Sequence, residues 1–340
     1  MDYKYLGNSG LEVSEICFGA MSFTGNKGWT HIANLDQRHA DKLVNIALDN
    51  GVNFFDTADI YSNGISEKML GKALEGKRSK AIIATKCGFR MRPGPNGDGL
   101  SRRRIIEACE ASLKRLKTDY VDLYQIHSYD FMTPLEESLK AFDRLVKDGK
   151  VRYIGCSNFS GWQLMKALAL QKEHDWERFI SLQSYYSLVG RDIEWELIPL
   201  CNDQELGIMT WSPLHGGFLT GKYSKEKEWP KNTRLDKLDD ALPFDKNQGF
   251  KIIDKLTQMS QDKGVKIAQL ALSYLLHKQG VTSLVIGARN KTQLKENIEA
   301  SDIKLSPDEL QALDDISDPY KPYPHWYFDI FRKERNQSFK

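Results

Sequence analysis

Four side chains in this sequence could do acid–base chemistry together: Asp56, Tyr61, Lys86 and His127. A free phenol has a pKa of about 10 and is a poor acid at neutral pH. An ammonium beside it stabilises the phenolate and lowers that value. A carboxylate beside the ammonium holds it charged and in place. An imidazole can hydrogen-bond a carbonyl oxygen and orient it. The combination describes a proton donor to a carbonyl. Taken singly, each residue has a plainer reading: Asp56 as a cap, Lys86 as a surface charge, His127 as a satisfied core imidazole. What favours chemistry is where the four fall.

Asp56 ends a short apolar run, Val52, Phe54 and Phe55, that suits a buried strand. A polar turn follows with Asp59, Tyr61, Ser62, Asn63 and Gly64. Ser66 and Glu67 then open an amphipathic helix with Met69, Leu70, Ala73 and Leu74 on one side. Lys86 follows a strand over 81–85, and His127 follows a strand over 121–126. Further strands are expected over 16–18, 151–155, 179–183, 208–211 and 284–286. Helices are expected over 36–50, 102–116, 135–146, 162–170, 195–206, 250–259, 267–277, 294–300 and 309–316, although Pro199 sits poorly inside the sixth strand's helix. Eight strands, each followed by at least one helix, mean an α/β protein with a parallel sheet. At this length they predict a closed (β/α)8 TIM barrel, whose ligands bind at the carboxyl ends of the strands. Residues 3–6 and 11–13 around Gly7-Asn8-Ser9-Gly10 predict an N-terminal β-hairpin. With no linker and no repeat, one domain over 1–340 is the expectation. It carries a charged insertion over 224–247 and an aromatic tail over 317–340 placed across the barrel mouth.

The 340 residues carry a net charge of +2 with the basic residues spread out, so neither nucleic acid nor a membrane surface is an expected partner. Met1 to Lys4 has no apolar leader region, and the apolar stretch 267–276 is short and interrupted. Five scattered cysteines without a CxxC pair fit reduced thiols, no metal site and a cytoplasmic protein. Nothing in the sequence sets an oligomeric state.

The segments LGNSGLEVSEICFGAM, FFDTADIYSNGISEKMLGKAL, IIATKCG, DLYQIHSYD, VRYIGCSNFS, LQSYYSLVGR, TWSPLHGGFLTGKY and VIGARNKTQLKENI, in this order, resemble the aldo-keto reductase superfamily over nearly the whole chain. The resemblance implies a barrel that binds NADP(H) without a Rossmann fold and reduces small-molecule aldehydes and ketones. It implies a catalytic tetrad of Asp56, Tyr61, Lys86 and His127, with Tyr61 as general acid. It places Ser157, Asn158 and Gln183 on the nicotinamide carboxamide and stacks Trp211 on the nicotinamide ring. Ser212, Leu214, Gly216, Gly217 and Leu219 would line the pyrophosphate path. Gly287, Arg289, Gln293, Glu296 and Asn297 resemble the adenosine end, with Arg289 on the 2′-phosphate. Gly287-Ala288 stands where many members carry Lys-Ser. That fits the branch of potassium-channel β-subunit-like and bacterial enzymes. It also keeps a second function in view, a cofactor-sensing interaction subunit with little turnover.

Other motifs carry less. GGFLTGK, 216–222, has phosphate-loop spacing but is followed by Tyr223 instead of Ser or Thr. GPNGDG, 94–99, lacks the Rossmann order. Cys87 reads as an inert thiol, and Arg102 to Arg104 as a solvated helix start. Substrate specificity is expected from the loops 89–100 and 129–133, the insertion and the tail.

Overall fold

The computed structural model describes residues 1–25, 35–223, 225, 229, 235 and 242–337. The chain opens on a hairpin, β1 (Tyr3–Tyr5) antiparallel to β2 (Glu12–Ser14). Eight parallel strands follow: β3 (Ile16–Gly19), β4 (Phe54–Asp56), β5 (Ile82–Cys87), β6 (Val121–Ile126), β7 (Val151–Ser157), β8 (Phe179–Tyr185), β9 (Gly207–Trp211) and β10 (Val281–Ile286). They close in sequence order, with β10 pairing back onto β3. The (β/α)8 barrel and the hairpin read from the sequence are both present.

The helices outside the barrel include α1 (Gln37–Asp49), α2 (Ile65–Ala73), α3 (Arg102–Leu116), α4 (Leu135–Lys147) and α5 (Gly161–Glu173). They continue with α6 (Leu197–Asp203), α7 (Lys246–Lys263), α8 (Ile267–Leu276), α9 (Lys291–Ile298), α10 (Pro307–Ile316) and α11 (His325–Gln337). Ser101 caps α3 by accepting from the Arg104 N–H, as its position predicts. The helix expected over 195–206 is shorter than its pattern. It begins at Leu197, so Pro199 falls in the first turn, where a missing N–H costs no intrahelical bond.

Two layers fill the barrel, and strand alternation makes them. Cys17, Phe54, Ala84, Leu123 and Met209 point inward and pack with Leu6 and Val13 of the hairpin, which closes the bottom. Two residues further along four of these strands stand Asp56, Lys86, Gln125 and Trp211. With a side-chain period of two, an apolar lower layer forces these groups into the barrel at its upper end.

Close packing of α2 against α3 supports the turn that carries Tyr61. A Cβ on Gly71 would stand 2.4 Å from the Leu116 carbonyl oxygen. Alanine in a helix interior ordinarily gains about 1 kcal/mol over glycine. Here the clash is with backbone, and overpacking of about 1–3 kcal/mol wins. Gly71→Ala is expected to lower the urea midpoint; an unchanged or higher midpoint would show that the helices separate freely.

The insertion over 224–247 lies largely outside the described residues. The tail does not wall the cavity: among the described residues, none after Asn297 lines it. Arg191 Nη1 donates to Ser317 Oγ (2.7 Å), and His325 packs on Trp195. These contacts hold the tail beside the loop after β8, and Tyr320 and Tyr323 are exposed.

Candidate active site

Lys86 lies on β5, fully buried, and its ammonium is saturated. It donates to Asp56 Oδ2 at 2.5 Å, to the Thr57 carbonyl at 2.9 Å and to the Tyr61 hydroxyl at 3.5 Å. Asp56, the last residue of β4, takes its remaining bonds on Oδ1, from Gln183 Nε2 at 2.9 Å and Gln125 Nε2 at 3.3 Å. Burial pulls the Lys86 pKa down, but attraction to Asp56 and then Tyr61 more than offsets it, so the net shift is upward. The amine is therefore held as an ammonium at neutral pH.

Tyr61 enters from the turn after β4. That turn is tied down by Thr57 and Ser66, whose hydroxyls bond at 2.8 Å while Ser66 Oγ donates to the Ala20 carbonyl. His127 follows β6, and its ring meets Tyr61 edge-on at 5.7 Å and Phe89 at 4.5 Å. Burial, and then the Lys86 charge, hold its pKa well below the usual imidazole value, so the ring is neutral. A neutral imidazole can donate one N–H to an oxygen without adding charge to the site.

Next along the barrel rim, Asn158 Nδ2 donates to the His127 carbonyl (2.9 Å) and to Ser157 Oγ (3.0 Å). Its Oδ1 accepts from the Trp211 indole N–H at 3.1 Å. Tyr185 braces the other side of Trp211 at 5.2 Å between ring centres. Ser157, Asn158 and Trp211 are thus positioned before any ligand arrives.

A cavity of about 800 Å³ runs across the carboxyl ends of the strands. It brings together Asp56, Tyr61, His127, Ser157, Asn158, Gln183 and Trp211 at one end. Ser212, Leu214, Gly216 and Gly217 continue it, and Gly287, Arg289, Gln293, Glu296 and Asn297 line it beyond β10. Lys86 stands behind Asp56 and Tyr61, outside the lining. Leu219 departs from expectation. It is fully buried in the hydrophobic core and does not line the cavity.

Phe89 opens a loop expected to set specificity and does line the cavity, while other lining residues had no signal of their own in the sequence, among them Met21, Thr220, Lys222 and Lys266. Lys222 belongs to the GGFLTGK stretch, so the loop set aside as a phosphate-loop lookalike does face the cavity. Burial, and then repulsion from Arg289, lower its pKa. A Cβ on Gly217 would stand 2.7 Å from its ammonium. Ser212 Oγ is buried beside this loop with no partner among the described residues. Arg104 corrects the reading of a solvated helix start: only Arg102 and Arg103 are exposed, while Arg104 is buried against Asp59. All five cysteines are free and buried, and burial pushes the Cys87 thiol pKa upward, which fits the inert reading.

The sequence profile of the Aldo/keto reductase family matches residues 15–318. The chain belongs to the aldo/keto reductase family. It is 38% identical over 327 residues to an uncharacterized oxidoreductase of Bacillus subtilis, covering 93% of this chain and 96% of that one. It is 34% identical over 344 residues to the versiconal hemiacetal acetate reductase of Aspergillus parasiticus, covering 95% and 98%. It is 36% identical over 338 residues to a probable voltage-gated potassium channel subunit beta of Arabidopsis thaliana, covering 95% and 99%. The family places this chain among oxidoreductases, whose members generally use nicotinamide cofactors. The cavity fits such a group: amide donors and an indole at one end, a glycine turn with a serine hydroxyl that has no partner among the described residues in the middle, and two cations, Lys222 and Arg289, beyond it. Among the described residues, no helix is long and apolar enough to cross a membrane, and no group of His, Cys, Asp and Glu could hold a metal ion.

Proposed function

We propose that the protein reduces aldehydes or ketones to alcohols with NADPH, and that Tyr61 delivers the proton. The observation that carries this reading is the ammonium of Lys86, bonded at once to Asp56, Thr57 and the Tyr61 hydroxyl at the edge of the cavity. When bound, the nicotinamide supplies the hydride to the carbonyl carbon. The protein's own residues do the rest. Lys86 favours the phenolate that remains once Tyr61 has given up its proton. Neutral His127 donates to the carbonyl oxygen and aims it at the phenol. Asp56 stabilises the buried ammonium and, through Gln183, ties it to the face where the cofactor's amide would sit. In the reverse direction the Tyr61 phenolate takes the proton.

Ser157, Asn158 and Gln183 would hold the carboxamide, with Trp211 stacked on the ring. Ser212, Leu214, Gly216 and Gly217 would follow the pyrophosphate. Gly287, Gln293, Glu296 and Asn297 would surround the adenosine. Lys222 and Arg289 favour NADPH over NADH on electrostatic grounds. They are like charges facing one cavity, and a phosphate near both relieves their repulsion.

The channel-subunit relative supports a second reading, a cofactor-sensing subunit with little turnover. One assay separates the two. NADPH oxidation is followed with aliphatic, aromatic and dicarbonyl substrates, and the NADPH and NADH dissociation constants are measured by fluorescence quenching. The reductase reading expects turnover on at least one class and tighter binding of NADPH. Negligible rates on every class with tight NADPH retention would select the sensing subunit, and absence of nicotinamide binding would defeat both.

A further inference from the structure

The turn that presents Tyr61 is strained. Ser62 and Asn63 are consecutive non-glycine residues with φ of 49° and 54°. Left-handed backbone is unfavourable for a residue with a β-carbon, for Ser62 more than for Asn63. Strain of this kind persists only where the surroundings over-determine the backbone. Asp59, two residues before Tyr61, supplies part of that restraint. Its main-chain N–H donates to the Lys86 carbonyl at 3.1 Å, and its Oδ2 accepts from Arg104 Nη2 at 2.9 Å. Asp59 is fully buried and Arg104 is 5% exposed. Beside them Glu67 accepts from Arg115 Nε at 2.6 Å and from the Thr85 hydroxyl at 2.6 Å. Two carboxylates and two guanidiniums are thus packed between this turn, α2, α3 and β5. The second oxygen of Asp59, Oδ1, is buried with no partner among the described residues.

We propose that Asp59 and Arg104 are positioning residues for the Tyr61 hydroxyl, and that their clamp slackens when Asp59 takes a proton, imposing an acid limb on turnover. The inference rests on Tyr61 being the proton donor. Protonation at the bare Oδ1 would neutralise Asp59 and leave the Arg104 charge buried beside an uncharged acid, an arrangement that a buried guanidinium tolerates poorly. The groups facing Asp59 are Glu67 from α2, Arg104 and Arg115 from α3, Cys87 from β5 and Tyr124 from β6. Burial raises the pKa of Cys87 and Tyr124, so both stay neutral. Burial, and then Glu67, lift Asp59 from 3.8 to about 6, against the pull of Arg104 and Arg115. The sign separates this limb from acid unfolding. The folded protein holds the Asp59 proton to a higher pH than the unfolded chain. Between about 6 and 3.8, taking up that proton therefore favours the folded state.

The test begins with ligand-free protein carrying 13C-labelled tyrosine. The Tyr61 signal is identified by its loss in Tyr61→Phe and followed from about pH 8 to about pH 5. In the wild type it should move with a midpoint at about 6. In Asp59→Asn it should rest near the wild type's low-pH position throughout. With NADPH and an aldehyde, Asp59→Asn and Arg104→Met should turn over about tenfold or more slower at neutral pH, since small misplacements are expensive. Neither should show the acid limb, and their NADPH dissociation constants should stay near the wild-type value. A wild-type Tyr61 signal without a step in this range would overturn the proposal, and that result needs no variant to fold. If the step is present but Tyr61→Phe turns over normally, the proton-donor reading fails and the proposal with it, while the titration of the turn still stands.

Discussion

Tyr61→Phe is expected to reduce turnover by about 10²–10⁴-fold, the range a positioned general acid contributes, with NADPH binding nearly unchanged. The substitution is narrow. The phenyl ring keeps its edge contact with His127 at 5.7 Å, and only the hydroxyl leaves. Lys86 loses one acceptor of three and keeps Asp56 Oδ2 and the Thr57 carbonyl. Any loss of stability should therefore stay near the net worth of one hydrogen bond to a charged group, about 1.5–3 kcal/mol at most. Binding is read by fluorescence quenching and turnover by NADPH oxidation. Unchanged turnover would remove Tyr61 as the acid. Lost binding would instead show that the hydroxyl shapes the cofactor site.

Lys86→Met is expected to damage both turnover and fold. The ammonium is fully buried and Asp56 is 2% exposed, so the variant leaves a carboxylate in the barrel with only two amide donors. Breaking a buried pair by removing one partner typically costs about 3–5 kcal/mol. Lys86→Met should lose stability on that scale in urea and should turn over no better than Tyr61→Phe. Adding Asp56→Asn should return much of the stability without turnover, because the stranded charge goes while the proton donor stays inactive. The pH dependence has a definite sign. The folded-state pKa of Lys86 lies above its ordinary value of 10.5. Its contribution is fully present below that ordinary value and is lost only as pH rises through the higher folded value. The stability gap between wild type and Lys86→Met should therefore stay constant through neutral pH and close only in strong alkali. Equal stability of the two proteins at neutral pH would mean that Asp56 is not charged in the fold.

Most of the barrel was legible because local pattern and burial agree. The runs at Val121–Ile126 and Arg102–Leu116 were readable to the residue: apolar β-branched residues and a serine cap act over a few positions. The helix at Leu197–Asp203 was overextended because periodicity continues past the point where packing stops. The surface met by the aromatic tail was not legible for a different reason. Composition says that Tyr320, Tyr323 and Trp326 can bury area, but carries no information about which surface they meet.

Asp56, Tyr61 and His127 could be placed at strand ends from the chain alone, because alternation and turn residues decide which end of a strand a side chain reaches. The chemistry proposed for the set is argued from residue type. Arg104 could not be assigned this way: it looked like one more charge at a helix start, and its partner Asp59 lies 45 positions earlier. Lys222 and Gln125 were opaque for the same reason. A side chain's charge is written in the sequence, but the groups it faces belong to distant strands and helices. Barrel closure brings those groups within a few ångströms, and burial there sets which of them keep their protons.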